Sequence, residues 1–286
     1  MKRMSNSVVS IDESQRIRDL FIEQVRRGTV SDGLSDVSAT PRIVRWSAIG
    51  DVGWSEISWT DLDEASADQV IDEQIEYFSS VGNGFAWRIY ENDLPDDLST
   101  RLERAGFTHD GTSELMIARV NDLTIGVEPP EGVALVRANH PEGIRRLIEV
   151  HEKVFQTDHT QLLRTLLAQH SISHSLNELV VAMANGAPVS SSRVQFFPDS
   201  DFAGFWGGST LPQWRGKGLY GAMVTHRARL AHERGYTYVY VIASNRSRPI
   251  LERLSFESFG SVSSFRWQPA VPPRWMSDIT PPRTAP

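Results

Sequence analysis

The chain has 286 residues, of which 36 are acidic and 29 are Lys or Arg, and its formal net charge is −7 at pH 7. This acidic balance disfavours nucleic acid and anionic membranes as main partners. The absence of cysteine excludes disulfides, thiol nucleophiles and thiolate metal sites.

Length and hydropathy predict a cytoplasmic protein of two domains. A chain of this length corresponds to about two domains by the usual prior. No segment approaches the roughly 18 consecutive apolar residues of a membrane-spanning helix. Residues 1–30 carry many charges and lack the apolar core of a signal peptide. We therefore expect a cytoplasmic location and no membrane partner.

The amino-terminal half is predicted to begin with an amphipathic helix over residues 12–27, followed by a Ser-rich connection to about residue 40. An aromatic strand is predicted over residues 85–90. A short helix after it ends in the sequence Leu-Glu-Arg-Ala-Gly-Phe at 102–107.

Two consecutive prolines at 129 and 130 follow a strand-like segment and predict the boundary between the domains. The expected domains are residues 1–128 and 129–268. The remaining residues, 269–286, contain six prolines and are expected to form an extended or disordered tail.

The clearest chemical signal is a glycine-rich loop between a predicted strand and a predicted helix. Gly216, Gly218 and Gly221 lie around Lys217 and directly after Arg215. Glycines let the backbone approach a ligand closely, and a helix N-terminus adds a partial positive charge. The loop is therefore predicted to bind a phosphate-bearing ligand.

Two common nucleotide-binding motifs do not fit this loop. The glycine spacing matches G-x-G-x-x-G, but no acidic residue lies about 20 positions further on, where a dinucleotide-binding fold places its ribose ligand. The Lys-Ser or Lys-Thr ending of a nucleoside-triphosphate loop is also missing. A nucleotide oxidoreductase or a kinase is disfavoured.

The order of elements after the loop resembles the GCN5-related N-acetyltransferase (GNAT) superfamily. An amphipathic helix, an aromatic strand at 236–243, the sequence Ala-Ser-Asn, a short helix and a Leu-Ser-Phe turn at 254–256 follow in turn. The resemblance covers about residues 133–267 and includes the motif R/Q-x-x-G-x-G/A. Residues 215–220 fill it except that Tyr220 replaces a small residue, and a register starting at Gln213 also fits.

The resemblance implies an α/β fold with a mixed, mostly antiparallel central sheet flanked by helices, and acetyl-CoA as co-substrate. In the family, the loop amides bind the pyrophosphate, and the preceding strand splays from its neighbour and pairs with the pantetheine arm. The asparagine before the short helix could instead be only a helix cap. The implied cofactor-binding residues are Gly208, Ser209, Thr210, Arg215, Gly216, Lys217, Gly218, Leu219, Tyr220, Gly221, Asn245 and Ser247.

The resemblance does not supply catalytic residues. The family often has a tyrosine acid five residues before the phenylalanine of the turn, and here that position is Leu251. The acceptor pocket is expected near the helical segment 147–176, with Glu152 and Trp206 as weak candidates, although Trp206 could instead fill the core. No H-E-x-x-H motif occurs, and His170 and His174, four residues apart, are interpreted as residues of a solvated helix face or a helix cap, so no metal is expected.

An internal echo predicts that the chain contains two tandem GNAT-like domains. The segment 102–107 resembles 251–256 at an offset of 149 residues. At the same offset the glycine loop falls on residues 66–72, which contain two aspartates and no glycine. The amino-terminal half is therefore expected to be a degenerate copy that has lost its cofactor site.

The expected function is acetyl-CoA-dependent N-acetylation of a small-molecule amine by direct transfer in a ternary complex. One alternative is a non-catalytic acyl-CoA-binding or assembly protein. Another is an acetyltransferase that acts on protein N-termini or lysines. A homodimer is one of the assemblies left open.

Overall fold

The computed structural model describes residues 11–123, 126–172 and 176–269. Of the predicted tail, residues 270–286 lie outside these ranges. The helices are α1 (Ile11–Phe21), α2 (Ala67–Val81), α3 (Leu98–Arg104), α4 (Pro141–Phe155), α5 (Thr160–Ile172), α6 (Leu219–Glu233) and α7 (Arg248–Arg253). The strands are β1 (Ser35–Ala39), β2 (Ile43–Ala48), β3 (Glu56–Thr60), β4 (Phe85–Tyr90), β5 (Thr108–Arg119), β6 (Val133–Arg137), β7 (Asn177–Ala184), β8 (Ala187–Phe196), β9 (Phe202–Thr210), β10 (Tyr238–Ala243) and β11 (Glu257–Trp267).

The eleven strands of the described ranges form one mostly antiparallel sheet in the order β1-β2-β3-β4-β11-β5-β10-β9-β8-β7-β6. The pairs β3–β4 and β9–β10 are parallel. The predicted α/β class, with a mixed and mostly antiparallel sheet flanked by helices, is confirmed. The sequence predicts a sheet in each half, and the structure joins both sets of strands into a single sheet.

The two halves exchange their last strands. β5, from the amino-terminal half, lies between β10 and β11, and β11, from the carboxy-terminal half, lies between β4 and β5. Each half therefore completes the sheet of the other. The predicted boundary at residues 128–129 falls in the connection that follows β5.

The first helix packs against both halves. The predicted helix over 12–27 is present as α1, continued by a π-helical turn at Ile22–Arg26. The fully buried Phe21 ring lies 6.1 Å from the ring of Tyr90 in β4 and 5.0 Å from that of Tyr240 in β10. α1 covers one face of the sheet. α6 and α7 pack on the other face, and the core there includes Phe205 and Leu251. In the part of the chain that is described, no helix has the length and apolar character needed to cross a membrane.

The echoed segments form the same turn, which supports an internal duplication. Phe107 N donates to Leu102 O and Phe256 N donates to Leu251 O, both at 3.0 Å. The residue before each phenylalanine is left-handed, with a φ of +92° at Gly106 and +70° at Ser255. Glycine adopts this conformation freely, whereas a side chain at this φ costs about 1–2 kcal/mol.

We expect Ser255→Gly to raise the free energy of unfolding by about 0.5–1 kcal/mol, because relief of the left-handed strain exceeds the added entropy of the unfolded chain. Urea denaturation of both proteins measures the change. The reciprocal variant Gly106→Ser should lose stability. Equal stability of all three proteins would contradict the claim that a side chain at this left-handed position costs free energy.

Candidate functional site

β9 and β10 separate after three paired positions. Their parallel pairing runs from Phe202 with Tyr238 to Gly204 with Tyr240. Beyond this point β9 continues to Thr210 paired with β8, while β10 continues paired with β5. The two strands therefore diverge and leave an opening between their carboxy-terminal ends, as the family resemblance implies.

A bulge in β9 lies at this opening. Arg193 pairs with Trp206 and Ser191 pairs with Ser209, so β9 carries one extra residue between these positions. Gly207 lies within the bulge with a φ of +60°, which a residue with a side chain rarely adopts. Bulges bend a strand and often lie beside functional sites.

The glycine-rich loop follows β9 and leads into α6. Gly216 and Gly218 have φ values of +74° and +79°, and Gly218 is the N-cap residue of α6. Among the described residues, none accepts a hydrogen bond from the main-chain amides of residues 216–221. The Arg215 side chain folds back, and its Nε donates to Thr210 O at 3.1 Å. The exposed loop thus presents free amides at a helix N-terminus, where an anion binds well.

The side chains of two predicted cofactor residues face β8. The Ser209 hydroxyl lies 2.9 Å from the Ser191 hydroxyl. Ser190 Oγ donates to Ser209 O at 2.7 Å and lies 2.9 Å from Thr210 Oγ1. These side chains are buried and hydrogen-bonded to β8, so a ligand in the opening would meet the main chain of β9 and not these hydroxyls.

The other predicted residues near the opening lie around the start of α7. Asn245 is exposed in the turn before this helix. Ser247, and not Asn245, occupies the N-cap position, and its hydroxyl donates to Ser244 O at 3.1 Å. Leu251 is fully buried in the core and has no proton to donate.

Tyr220 extends from the first turn of α6 toward the opening. A Cβ placed on Gly208 would lie 3.0 Å from Tyr220 Cε2 and 3.8 Å from the Tyr220 hydroxyl oxygen. Burial raises the pKa of the phenol, while the Arg227 charge and a hydrogen bond with Ser247 oppose that rise. The hydroxyl is therefore protonated at neutral pH and lies between β9 and the start of α7.

His151, a residue of α4, forms a hydrogen bond with the bulge in β9. Its Nε2 donates to Gly207 O at 2.9 Å, and the residue is 4% exposed. Burial lowers the pKa of His151 to about 4, the hydrogen bond to Gly207 opposes this change, and the charge of Arg193 adds to it. The imidazole is neutral at pH 7, and its donor nitrogen is fixed by the carbonyl. The sequence places His151 on a helix, but it does not reveal this tertiary contact.

A cavity of about 140 Å³ lies between the halves, on the same face of β9 as Trp206. Trp206 lines it, and the indole Nε1 has no hydrogen-bond partner among the described atoms. Arg193 and Trp54 line both this cavity and a wider outer cleft that includes Gly207. The other residues that line the cavity are Val25, Arg26, Asp32, Trp46, Glu56, Ser58, Arg88, Tyr90, Gln195, Phe197 and Tyr240.

Glu152, the second candidate for the acceptor pocket, is exposed on α4 and lines neither the cavity nor the cleft. Its carboxylate accepts a long hydrogen bond of 3.5 Å from the His159 amide. Within residues 11–123, 126–172 and 176–269, no group of three or more His, Asp or Glu side chains is placed to hold a metal ion.

Comparison with solved structures finds the same fold in several acetyltransferases. A GCN5-related N-acetyltransferase from Kribbella flavida gives a TM-score of 0.64 at 17% identity, over 90% of this chain and 96% of that chain. Another, from Sphaerobacter thermophilus, gives 0.55 at 14% identity, over 82% and 83%. A tandem GNAT protein from the clavulanic acid biosynthesis pathway gives 0.55 at 11% identity, over 88% of each chain. The chain has the GCN5-related N-acetyltransferase fold.

No protein-family model matches the sequence, and no curated protein matches it either. The likeness of this GNAT-fold chain to the solved structures lies in the arrangement of its strands and helices. The residues of its site must therefore be interpreted from their own geometry.

The amino-terminal half of the GNAT fold has a different loop at the corresponding place. β3 runs parallel to β4 and leads into α2, as β9 runs parallel to β10 and leads into α6. Before α2, Asp63 Oδ1 accepts hydrogen bonds from Ser66 N at 2.8 Å and Ser66 Oγ at 2.6 Å. These bonds lower the pKa of Asp63. A carboxylate of the chain itself thus lies in the loop that corresponds to the glycine-rich loop.

We expect the stability of the protein to fall by about 2 kcal/mol between pH 7 and pH 5 through His151 alone. The pKa of His151 in the folded state, about 4, lies below its ordinary value of 6.5. Its contribution is therefore complete above pH 6.5 and is lost as the pH falls toward 4. Urea denaturation at both pH values measures it.

The variant His151→Gln keeps an N–H donor for Gly207 and should lose this part of the pH dependence. His159→Gln removes a neighbouring histidine, whose ring lies 5.3 Å from that of His151, and should retain it. An unchanged pH profile in His151→Gln would show that the buried neutral imidazole has been assigned wrongly.

Proposed function

We propose that the protein is an acetyl-CoA-dependent N-acetyltransferase that acts on a small-molecule amine. The observation that carries this proposal is the opening between β9 and β10, which leads directly to the free amides of the glycine loop. The amides of residues 216–221 would hold the pyrophosphate, and the main chain of residues 205–210 would line the pantetheine arm. Bound acetyl-CoA supplies an activated acetyl group as a thioester.

The residues around the bulge are fixed before a ligand arrives. His151 holds the Gly207 carbonyl, and the serines of β8 hold the following residues of β9. Polar groups that are already oriented stabilise developing charge without further reorganisation. Holding the two reactants together supplies a further part of the rate enhancement.

Tyr220 is the proposed proton donor for the leaving thiolate. Leu251 occupies the position of the usual tyrosine and cannot serve. The Tyr220 phenol reaches the same opening from α6, and its raised pKa keeps it protonated at neutral pH. The tyrosine that departs from the loop motif is thus proposed to replace the missing acid.

Two features separate the main proposal from its alternatives. The cavity of about 140 Å³ is smaller than the roughly 300–1,000 Å³ of sites for drug-sized ligands, which favours a small acceptor over a protein segment. The buried Leu251 favours a non-catalytic acyl-CoA-binding protein as the second candidate. Release of free CoA thiol with an amine present would support the enzyme, and binding without release would support the second candidate.

We expect Gly218→Trp to abolish the thermal stabilisation that acetyl-CoA gives the wild-type protein. A ligand at one hundred times its dissociation constant stabilises a protein by about 2.7 kcal/mol. The indole would lie beside the loop amides and block the phosphates. Differential scanning fluorimetry measures the shift.

The matched control is Gly235→Trp, since Gly235 is also left-handed, with a φ of +82°, and has no atom within 4 Å of its Cβ position. It lies after the other end of α6, so this variant should keep the full shift. Loss of the shift in both variants, or in neither, would contradict a cofactor site at this loop.

We expect Tyr220→Phe to lower kcat by about 10²-fold, within the range for loss of a general acid, while the thermal shift with acetyl-CoA stays unchanged. Steady-state assays of CoA release measure kcat and KM separately. A kcat near that of wild type would mean that the thiolate leaves without this proton. A larger thermal shift in Tyr220→Gly than in Tyr220→Phe would instead identify the ring as an obstruction.

A further inference from the structure

Three arginines line the cavity between the halves, and two of them have ionic partners among the described residues. Arg26 pairs with Asp93 at 2.7 Å, and Arg88 pairs with Glu56 at 2.8 Å. Arg193 forms no ion pair and no side-chain hydrogen bond with any residue that the structure describes; its guanidinium carbon lies 5.6 Å from the centre of the Trp54 ring. Burial alone lowers the pKa of Arg193 to about 10.

Arg193 is partly buried, and a charge that loses part of its hydration without gaining a partner is costly, since desolvation is not offset by an ion pair or by hydrogen bonds. A guanidinium also remains protonated at neutral pH even after this change in pKa. The charge of Arg193 therefore persists in the folded protein and is available to an anionic ligand. The planar fork of the guanidinium matches a carboxylate with two parallel hydrogen bonds.

Arg193 lies next to the place where acetyl transfer is proposed. It pairs directly with Trp206 across β8 and β9, so both side chains point to the same face of the sheet. Trp206 precedes Gly207 in the chain, and Arg193 lines both the cavity and the outer cleft beside this glycine. A small molecule held by Arg193 can therefore extend to the opening between β9 and β10.

Two further groups make the cavity suitable for a molecule with both charges. The Trp206 ring lines the cavity, and its buried indole Nε1 has no hydrogen-bond partner among the described atoms. Asp32 also lines the cavity and has no cationic partner among the described residues, since it accepts from Leu34 N at 3.0 Å and from Gln169 Nε2 at 2.8 Å. The cavity thus offers one unpaired positive and one unpaired negative side chain.

We propose that the acceptor is a small amine that also carries a carboxylate, and that Arg193 binds this carboxylate in the cavity between the halves. The inference rests on the proposed acetyltransferase function and specifies its substrate class. The amine nitrogen forms an amide bond to the acetyl carbon while the carbon–sulfur bond breaks. The nitrogen attacks as the neutral amine and loses one proton to solvent, while Tyr220 donates a proton to the thiolate and regains one from solvent.

The test uses the standard amino acids and short ω-amino acids, each assayed as the free acid and as its carboxamide with acetyl-CoA. Wild-type protein should prefer the acid of its best pair by tenfold or more in kcat/KM. Arg193→Gln should lower kcat/KM for that acid by roughly 30-fold or more, as for loss of one partner of a buried charged pair. The preference over the carboxamide should then disappear, with acetyl-CoA binding unchanged.

The matched control is Arg266→Gln, which removes a positive charge from the outer cleft but not from the cavity, and it should keep the preference. Turnover of acids and carboxamides at equal rates would overturn this proposal while leaving the acetyltransferase function intact. A preference that survives in Arg193→Gln would also overturn it. If acetyl-CoA binds but no amine reacts, the melting temperature is measured with each compound of the same panel for wild type and for Arg193→Gln. If no compound stabilises the wild type more than it stabilises Arg193→Gln, the proposed carboxylate site is overturned.

Discussion

The antiparallel pairing of β5 with β11 is the constraint on which the rest of the structure depends. Because each half contributes one strand to the other, neither half has a complete sheet of its own. On its other side β5 pairs with β10, which pairs with β9 over three positions before these two strands diverge. Residues of β3 and β4 from the first half and of β8 and β9 from the second half line the small cavity between them.

The two halves differ in the loop that leads into the helix after the parallel strand, which is the loop before α2 in the first half and the loop before α6 in the second. In the amino-terminal half, the Asp63 carboxylate accepts a hydrogen bond from the Ser66 amide in the loop before α2. In the carboxy-terminal half, glycines leave the corresponding amides free. The first half retains the fold and supplies one wall of the cavity, including Glu56 and Arg88, whereas the second half supplies the loop, the bulge and Arg193. Both halves thus line one cavity.

Local sequence signals predicted the parts of the site that depend on backbone conformation. Gly216 and Gly218 indicated a loop that bends into a helix, and the echo of residues 102–107 in 251–256 indicated a repeated turn. The strand exchange could not be predicted, because pairing between distant strands leaves no local pattern. Likewise, Arg193 appears in the sequence only as a polar residue of a strand, and its isolation in a cavity results from the register of β8 with β9. The contact of His151 with Gly207 depends on the packing of α4.

Amide hydrogen exchange of the loop, measured by mass spectrometry with and without acetyl-CoA, tests the central claim most directly. The account predicts that exchange at residues 216–221 slows when acetyl-CoA is added, while exchange at residues 61–66, before α2, stays the same. Slower exchange before α2 with no change at residues 216–221 would contradict the account, because the free amides of the glycine loop would then not be the ones that hold the co-substrate.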